Sequence, residues 1–519
     1  MIDKANRREF LWGAGAFLGC GLTARGHLRE WYAPRFGTNP FTLGVASGEP
    51  APDGFVLWTR LAPDPLNGGG MPPEAVKVVW EVAADEQFKQ IVKKGAEMAS
   101  PAWGHSVHAE VTGLKPGRPF WYRFRAGKEE SATGRTRTAP ARGAQVQQLK
   151  FAFVSCQHYD YYYTAYRDLA QQDVEIVFHL GDYIYEGGIS RFDATRPRRH
   201  NSEEVKTLAE YRNRYALYKM DADLQAAHRI APWVVTTDDH EVSNNYANAI
   251  SQDKNVTPEE FLKRRAVAYQ AYYENMPLRR SALPQGPDMQ LYRALSWGDL
   301  AGFSVLDTRQ YRTDQPCGDG LKKLCAGALT PEATLTGAAQ EKWLMAGLRA
   351  SRTRWNAVPQ QVMMAPIDFL PGPEMTVSMD QWSGYVAARN RLLGFVNEAK
   401  IKNFVVLAGD IHSNWASDLK PDFADEKSPV VGAEFVGTSI SSSGDGSDRR
   451  PETPIIFAEN SHLRFYNNQR GYVLCMLTPD KWQSAYRVVE KVSVPDALRG
   501  CFVYQSNIRR LGAHSQVST

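Results

Sequence analysis

Four apolar segments of this chain each end within two residues of side chains that can bind a metal ion. They span residues 151–155, 176–180, 233–237 and 404–408. The side chains that follow them are Cys156, Asp182, Asp238, Asp239, His240, Asp410 and His412. Short apolar runs alternating with helical stretches favour sheets covered by helices. Because ligands gather outside the carboxyl ends of strands in such sheets, we expect these side chains to form one polynuclear metal site.

Residues 41 to about 140 have a different pattern, in which short strands are separated by turns. Strand-like segments cover 55–60, 76–82 and 120–125, and a Gly-Leu-Lys-Pro-Gly turn precedes the last of them. This turn and its aromatic strand resemble fibronectin-type-III-like domains. We therefore predict an α/β (α+β) chain with a fibronectin-III-like β-sandwich over 38–140. An α/β domain over 148–507 and a polar C-terminal tail over 508–519 follow.

The N-terminal 37 residues are predicted to be an export signal and leader. Arg7 and Arg8 form a twin-arginine pattern, and an apolar run over 11–22 follows them. That run is too short to cross a bilayer of about 30 Å as a helix, so no stable membrane anchor is expected. The pattern predicts a protein that is secreted or periplasmic through the twin-arginine export machinery.

The net charge of the chain argues against a nucleic-acid-binding partner. The formal charge is +4 over 519 residues, and it falls to +1 when the predicted leader is subtracted. A nucleic-acid-binding protein is expected to carry a strong basic patch. We therefore expect an anionic substrate to be held by metal ions and not by a basic surface.

Six cysteines are too few for a disulfide scaffold in a chain of this length. Cys20 lies in the predicted leader. Cys317 and Cys325 are eight residues apart in a Gly-rich loop, a spacing that suits a local disulfide. Cys475 is a candidate partner for Cys501, although the sequence does not establish that pair. Cys156 is then left over, and metal ligation would account for it.

Five sequence blocks, in this order, resemble the motifs of the PhoD-like alkaline phosphatases, a branch of the calcineurin-like metallophosphoesterase group. They are Phe-Val-Ser-Cys-Gln at 153–157, Gly-Asp-Tyr-Ile-Tyr-Glu at 181–186, Asp-Asp-His-Glu-Val-Ser-Asn-Asn at 238–245, Gly-Asp-Ile-His at 409–412 and Glu-Phe-Val-Gly-Thr-Ser-Ile at 434–440. The resemblance covers roughly residues 41 to 490. It implies that residues 148–507 form a two-sheet metallophosphoesterase sandwich flanked by helices.

The resemblance implies one Fe³⁺ and Ca²⁺ as cofactors. The implied metal ligands are Cys156, Asp182, Tyr185, Asp239, Asn244, Asp410 and His412, with Asn245 as an alternative to Asn244. Of these, the iron ligands would be Cys156, Asp182, Tyr185 and Asp410. The residue types suit these ions, because thiolate and phenolate are anionic donors for a trivalent ion and calcium prefers oxygen ligands.

The activity implied by the resemblance is hydrolysis of phosphate mono- and diesters at alkaline pH. A metal-bound oxide or hydroxide would attack the phosphorus atom, and the implied catalytic residues are Asp182, His240, Asp410 and His412. His240 is also a candidate substrate-binding residue. Arg309 follows a strand and is a second candidate for the substrate phosphate, with a structural salt bridge as the alternative. The Ser441–Gly444 loop lacks a Gly-x-Ser-x-Gly elbow, which favours a place near the metals over a serine nucleophile.

Two other functions remain open at this point. A purple-acid-phosphatase-like enzyme also combines a fibronectin-like module with iron, but its His-rich ligand set is not evident here and Cys156 would be unexplained. A non-catalytic surface-binding protein with a decayed site would be expected to lose metal positions, whereas every motif position is occupied.

Overall fold

The computed structural model describes residues 36–189, 196–494, 498–507 and 510–516. The twin-arginine pattern, the apolar run and Cys20 lie outside these residues. Eight strands form the N-terminal part: β1 (Val45–Ala51), β2 (Gly54–Arg60), β3 (Val76–Ala83), β4 (Ile91–Ala99), β5 (Ser106–Val111), β6 (Pro119–Ala126), β7 (Glu129–Glu130) and β8 (Gly134–Arg137). The predicted strands at 55–60, 76–82 and 120–125 correspond to β2, β3 and β6.

The rest of the chain alternates strands with helices, as the sequence predicts. The strands are β9 (Leu149–Val154), β10 (Ile176–His179), β11 (Trp233–Val235), β12 (Arg293–Trp297), β13 (Ala301–Val305), β14 (Leu321–Lys323), β15 (Trp355–Pro359), β16 (Thr376–Ser378), β17 (Phe404–Ala408), β18 (Asn414–Leu419), β19 (Gly432–Val436), β20 (Leu463–Asn467), β21 (Gly471–Leu477), β22 (Lys481–Val489), β23 (Leu498–Asn507) and β24 (Arg510–Gln516). The α-helices are α1 (Thr164–Leu169), α2 (Leu208–Lys219), α3 (Ala222–His228), α4 (Pro258–Asn275), α5 (Gly337–Ala350), α6 (Val386–Glu398) and α7 (Thr453–Glu459). Each helix of the described residues is too short or too polar to span a membrane.

Two large sheets share one core. The first has the strand order β24-β23-β22-β21-β9-β10-β11-β1-β2-β5, and the second has the order β12-β13-β15-β17-β19-β18-β20. Side chains of successive residues in a strand point to opposite faces. In β17, Leu407 therefore joins the core between the sheets, whereas Val406 packs with Leu344 of α5 and Leu392 of α6. The same alternation places Val177 of β10 against the helices α1 to α4. The fold is thus mixed α/β with helices on the outer faces.

The N-terminal part differs from a free-standing sandwich. One of its layers has the order β4-β3-β6-β7, with β8 also paired to β6. Its other layer, β1-β2-β5, continues the ten-stranded sheet through a parallel contact between β1 and β11. That contact joins Gly48 to Trp233, and a Cβ atom at Gly48 would lie 2.6 Å from the Trp233 carbonyl oxygen. Glycine at this position permits the close approach of the two strands.

The C-terminal residues form a strand, and one of the two suggested disulfides is present. Residues 510–516, placed by the sequence in a tail, form the edge strand β24. The Cys317–Cys325 disulfide is confirmed. The pairing of Cys475 with Cys501 is wrong: the Cys475 thiol is free and lies 3.5 Å from the Ser484 hydroxyl. Strand β22 separates the two cysteines, and a disulfide does not bridge Cα atoms more than about 7 Å apart.

The contact between β5 and α4 should make the protein sensitive to acid. The His108 ring stacks on Tyr273 at 4.3 Å, and its Nδ1 lies 3.1 Å from the Leu278 carbonyl oxygen. Burial lowers the pKa of His108 to about 4, from an ordinary value of 6.5. The unfolded chain therefore binds a proton that the folded chain excludes as the pH falls from 6.5 towards 4. We expect this histidine to remove about 1.4 kcal/mol of unfolding free energy per pH unit in that window.

Urea unfolding at several pH values checks this prediction. The variant His108→Gln retains a polar side chain but does not titrate, so its unfolding free energy should fall less steeply below pH 6.5. Equal slopes for the variant and the wild type would contradict the assignment.

Candidate metal centre

The predicted ligands lie where strands of both sheets end. Cys156 follows β9, Asp182 follows β10 and Asp410 follows β17. Cys156, Asp182, Asp410 and His412 all adopt a left-handed backbone, with φ angles of 60°, 57°, 67° and 54°. Such angles are uncommon for residues other than glycine, and they concentrate at functional sites. The shared conformation turns the chain sharply at each strand end, so that these side chains meet.

A glycine beside Asp182 makes this turn possible. Gly181 has a φ of 110°, and a Cβ atom at this position would lie 2.4 Å from the Cβ atom of Asp238. A side chain would therefore collide with the loop after β11. The Gly-Asp pair of the sequence motif thus has a steric reason as well as a chemical one.

The first group of candidate ligands contains Cys156, Asp182 and His412. Their Sγ, carboxylate and imidazole atoms lie within 4.8 Å of one another. The Tyr185 hydroxyl donates a hydrogen bond of 2.8 Å to Asp182 Oδ2 and lies 3.2 Å from His412 Nε2. Ser442 donates to the same hydroxyl at 2.7 Å. The structure therefore brings Tyr185 into this group and places the serine loop beside it, as the sequence predicts.

A second set of carboxylates continues from the first. Asp182 groups with Asp239 and His240, and Asp239 also groups with Asp238 and Asp410, again within 4.8 Å. Asp182 and Asp239 thus connect these three groups of candidate ligands. A series of metal ligands of this extent is large enough to bind more than one metal ion.

Burial sets the protonation of these groups when no cation is beside them. It raises the pKa of the Cys156 thiol and of the Tyr185 phenol well above their ordinary values, with Asp182 adding to both shifts. It also raises the pKa of Asp182 strongly and that of Asp410 to about 7. The carboxylate oxygens Asp182 Oδ1 and Asp239 Oδ1 are buried without a hydrogen-bond donor. Buried acceptors without donors and clustered acidic ligands both fit a bound cation.

Acidic neighbours favour the protonated form of His240. Burial opposes its protonation, but Glu186, Asp239 and Asp182 outweigh burial and raise the pKa of His240 well above its usual value. Its Nδ1 lies 2.6 Å from Glu186 Oε2, and the backbone N–H of Asn244 binds the other oxygen of Glu186. Glu186 therefore orients His240 and stabilises its charge.

His412 has the opposite character. Burial and then Arg470 lower the pKa of His412 to about 3, so the ring is neutral. Its Nδ1 lies 2.6 Å from the Ser443 hydroxyl, and its Nε2 lies 3.2 Å from the Tyr185 hydroxyl. A neutral imidazole held at one nitrogen and offered at the other is the usual form of a metal-bound histidine.

The two asparagines after the Asp-Asp-His-Glu motif have separate contacts. Asn244 donates its side-chain amide to Gln252 at 2.7 Å. Asn245 donates its backbone N–H to Asp239 Oδ2 at 2.7 Å and its side-chain amide to both oxygens of Asp319 at 2.9 Å. Asn245 is thus the asparagine that contacts a candidate ligand.

The sequence leaves two roles open for Arg309, binding of the substrate phosphate and a structural salt bridge. Its side chain is fully buried, and its guanidinium pairs with Asp238 and with Asp380 at 2.7 Å. The same group lies 3.6 Å from Asp239 Oδ1 and 3.7 Å from Asp410 Oδ1. The structure supports the alternative role, a buried cation beneath the carboxylates.

Sequence reasoning assigned no role to several residues that support the site. Glu241 accepts backbone hydrogen bonds from Asp182, Tyr183 and Asp238, so it ties the loop after β10 to the loop after β11. Glu241 and Glu186 stand inside recognised motifs, and their position could have suggested this role. Gln381, which donates to Asp410, lies in a loop without any motif.

A cavity of about 400 Å³ opens beside the ligand groups. One part of its wall contains Tyr185, His240 and His412, and another contains His158 and His200. Cavities of this size accommodate small organic ligands. The candidate ligands are therefore accessible to a small substrate.

Comparisons with known proteins point to one family. The model described as "PhoD-like phosphatase" matches residues 151–486, and the model described as "PhoD-like phosphatase, N-terminal domain" matches residues 26–140. Alkaline phosphatase D of Bacillus subtilis (strain 168) is 52% identical over an alignment of 513 residues, which covers 97% of this chain and 88% of that protein. A solved structure titled "Structure of PhoD" is also 52% identical, with a TM-score of 0.91 and coverage of 94% of both chains.

Proposed function

The chain belongs to the PhoD-like phosphatase family and is a phosphatase, and from this premise we propose that its centre holds Fe³⁺ and Ca²⁺ and hydrolyses phosphate mono- and diesters. The observation that carries the proposal is the group of buried anionic donors with two carboxylate oxygens that lack hydrogen-bond donors. Cys156, Asp182, Tyr185 and Asp410 would hold the iron. Asp182, Asp239 and an asparagine after the Asp-Asp-His-Glu motif would hold calcium, with Asn245 supported by its contact with Asp239.

The donor set supports this choice of ions. A thiolate and a phenolate suit a trivalent iron, and carboxylate and amide oxygens suit calcium. When bound, the ions would neutralise charge on the phosphate and lower the pKa of a coordinated water. The purple-acid-phosphatase-like alternative leaves Cys156 unexplained, and the family assignment argues against a non-catalytic protein.

The residues around the ions have separate tasks. His240, paired with Glu186 through Nδ1, faces the cavity and is suited to donate a hydrogen bond to a phosphate oxygen. Ser443 holds the ring of His412, and Ser442 holds the hydroxyl of Tyr185. Arg309 would neutralise part of the negative charge of the carboxylates without contacting the substrate. Positioning and charge complementarity therefore account for the contribution of the protein to the reaction.

We also propose that the protein is secreted or periplasmic and reaches its compartment by the twin-arginine route. The support is the Arg7-Arg8 pattern and the disulfide between Cys317 and Cys325, since disulfides are typical of oxidising compartments. Replacing Arg7 and Arg8 by Lys should leave the protein inside the cell. The measurement is fractionation of cells that produce either the wild type or the variant with both arginines replaced.

Iron ligation by Tyr185 has a spectroscopic test. A phenolate bound to Fe³⁺ is expected to give a visible absorption band, so Tyr185→Phe should lose the band and most of the activity. Tyr183→Phe is the matched control, because the Tyr183 hydroxyl contacts His228 at 2.8 Å instead of the candidate ligands. Absorption spectra, iron and calcium content and phosphate release from mono- and diesters are measured together. An unchanged band in Tyr185→Phe would contradict phenolate ligation, and a protein without iron would contradict the choice of ion.

A further inference from the structure

His158 stands on the cavity wall with one ring nitrogen left for a ligand. Its side chain is 21% exposed, and the ring lies 4.5 Å from that of Tyr185 and 5.0 Å from that of His200. Neither the motifs nor the ligand groups around Asp182 assign it a role. Its neighbours nevertheless hold it in a defined position.

The backbone of His158 is anchored to the serine loop. Its N–H donates to the Ser442 hydroxyl at 3.1 Å, and its carbonyl accepts from the Ser441 hydroxyl at 2.8 Å. Ser442 also donates to the Tyr185 hydroxyl. The same loop therefore positions His158 and a candidate iron ligand.

The neighbouring ring of His200 is fixed by a closed set of hydrogen bonds. The Tyr218 hydroxyl accepts from the backbone N–H groups of Tyr159 and Tyr185, which directs its own proton to His200 Nε2 at 2.9 Å. His200 Nδ1 then donates to the Gly187 carbonyl at 2.7 Å. The ring against which His158 stacks is thus held at both nitrogens.

The hydrogen bonds of His158 also define its tautomer. Its Nδ1 accepts from the Asp160 backbone N–H at 3.3 Å, whereas the Asp160 carboxylate is 3.7 Å away and pairs with Arg196. Because Nδ1 is an acceptor, the ring proton is on Nε2. This Nε2 contacts no acceptor among the residues that the structure describes. An N–H donor is therefore available to a molecule in the cavity.

The ester oxygen is the substrate atom that matches this donor. The non-bridging phosphate oxygens are anionic and suit the metal ions and His240, whose ring lies 4.2 Å from that of Tyr185. During hydrolysis the P–O bond to the alcohol breaks, and its electron pair remains on the alcohol oxygen. Water supplies the oxygen that bonds to phosphorus, and a proton from water ends on the alcohol. A fixed donor aimed at this developing charge stabilises the transition state.

We propose that His158 is a catalytic residue whose Nε2–H donates a hydrogen bond to the oxygen of the leaving alcohol. The inference rests on the proposed function. It predicts which esters depend most on the His158 donor. These are the esters of weakly acidic alcohols, because their leaving oxygen carries the most charge.

The test compares a phenyl phosphate ester with the corresponding para-nitrophenyl ester. His158→Phe keeps a ring between Tyr185 and His200 but removes the donor. We expect kcat/KM to fall about 100-fold for the phenyl ester and several-fold for the para-nitrophenyl ester. His158→Gln, which retains an N–H donor, should restore much of the wild-type ratio between the two esters. The ratio of the kcat/KM values for the two esters, measured on one preparation, does not depend on the fraction of folded or metal-loaded molecules. A loss of metal therefore does not change this ratio as the loss of the donor would.

Two results would overturn the proposal. Equal losses on both esters would show that His158 supports the site without contacting the leaving group, and unchanged kinetics would show no role at all. A wild-type protein inactive on both esters would instead overturn the proposed function, and the role of His158 with it.

Discussion

Replacing Asp182 by Asn is expected to lower kcat/KM on the order of 10³-fold or more and to reduce the metal content. Asp182 belongs to both the Cys156 group and the Asp239 group of ligands. Its Oδ1 has no hydrogen-bond donor, and its Oδ2 accepts from Tyr185. An amide of the same shape removes the negative charge and places an NH₂ group where a cation would bind. The change therefore affects both candidate ion positions at once.

The measurement is phosphate release from mono- and diesters with added calcium, together with elemental analysis of the purified protein. Asp173→Asn serves as the matched control, because Asp173 is 79% exposed and pairs with Arg135 at the surface. Its activity should equal that of the wild type. Full activity in Asp182→Asn would exclude Asp182 as a shared ligand.

Replacing Arg309 by Met is expected to destabilise the fold by about 3–5 kcal/mol. The guanidinium is fully buried and pairs with Asp238 and Asp380. Its loss leaves the buried Asp238 without its cationic partner, whereas Asp380 keeps Arg312 at 3.1 Å. Bound cations would offset part of this cost. The destabilisation should therefore be larger after treatment with a chelator than in the presence of iron and calcium.

The measurement is denaturant unfolding of the wild type and of Arg309→Met, each with and without chelator. Arg391→Met is the control, since Arg391 is 40% exposed and its pair with Glu341 should contribute at most about 1 kcal/mol. If Arg309→Met unfolds like the control but loses affinity for phosphate, Arg309 is a substrate-binding residue after all.

Local patterns were sufficient to predict that the candidate ligands lie close together. Apolar runs ending at Cys156, Asp182 and Asp410 predicted strand ends, and these ends do converge. The spacing of Cys317 and Cys325 likewise predicted a disulfide. Both inferences use residues close together in the sequence, where the geometry of one strand or one loop determines the outcome.

Contacts between distant segments could not be predicted in this way. The burial of Arg309 depends on Asp380, 71 residues away, in a loop without a motif. The position of Cys475 depends on how β22 pairs with β21 and β23. A single sequence carries no signal for such pairings, because many alternative partners satisfy the same hydrophobic pattern.

The pairing of β1 with β11 has a consequence for how the protein is made. The Gly48 strand emerges from the ribosome about 185 residues before Trp233, a delay of roughly 10–40 s at typical rates of synthesis. Until then the edge of β1 that later pairs with β11 is open, and open strand edges promote aggregation. A shortened gene that begins at the catalytic part would leave β11 with a permanently open edge. The N-terminal part is thus a permanent cover for the catalytic sheet and not an exchangeable module.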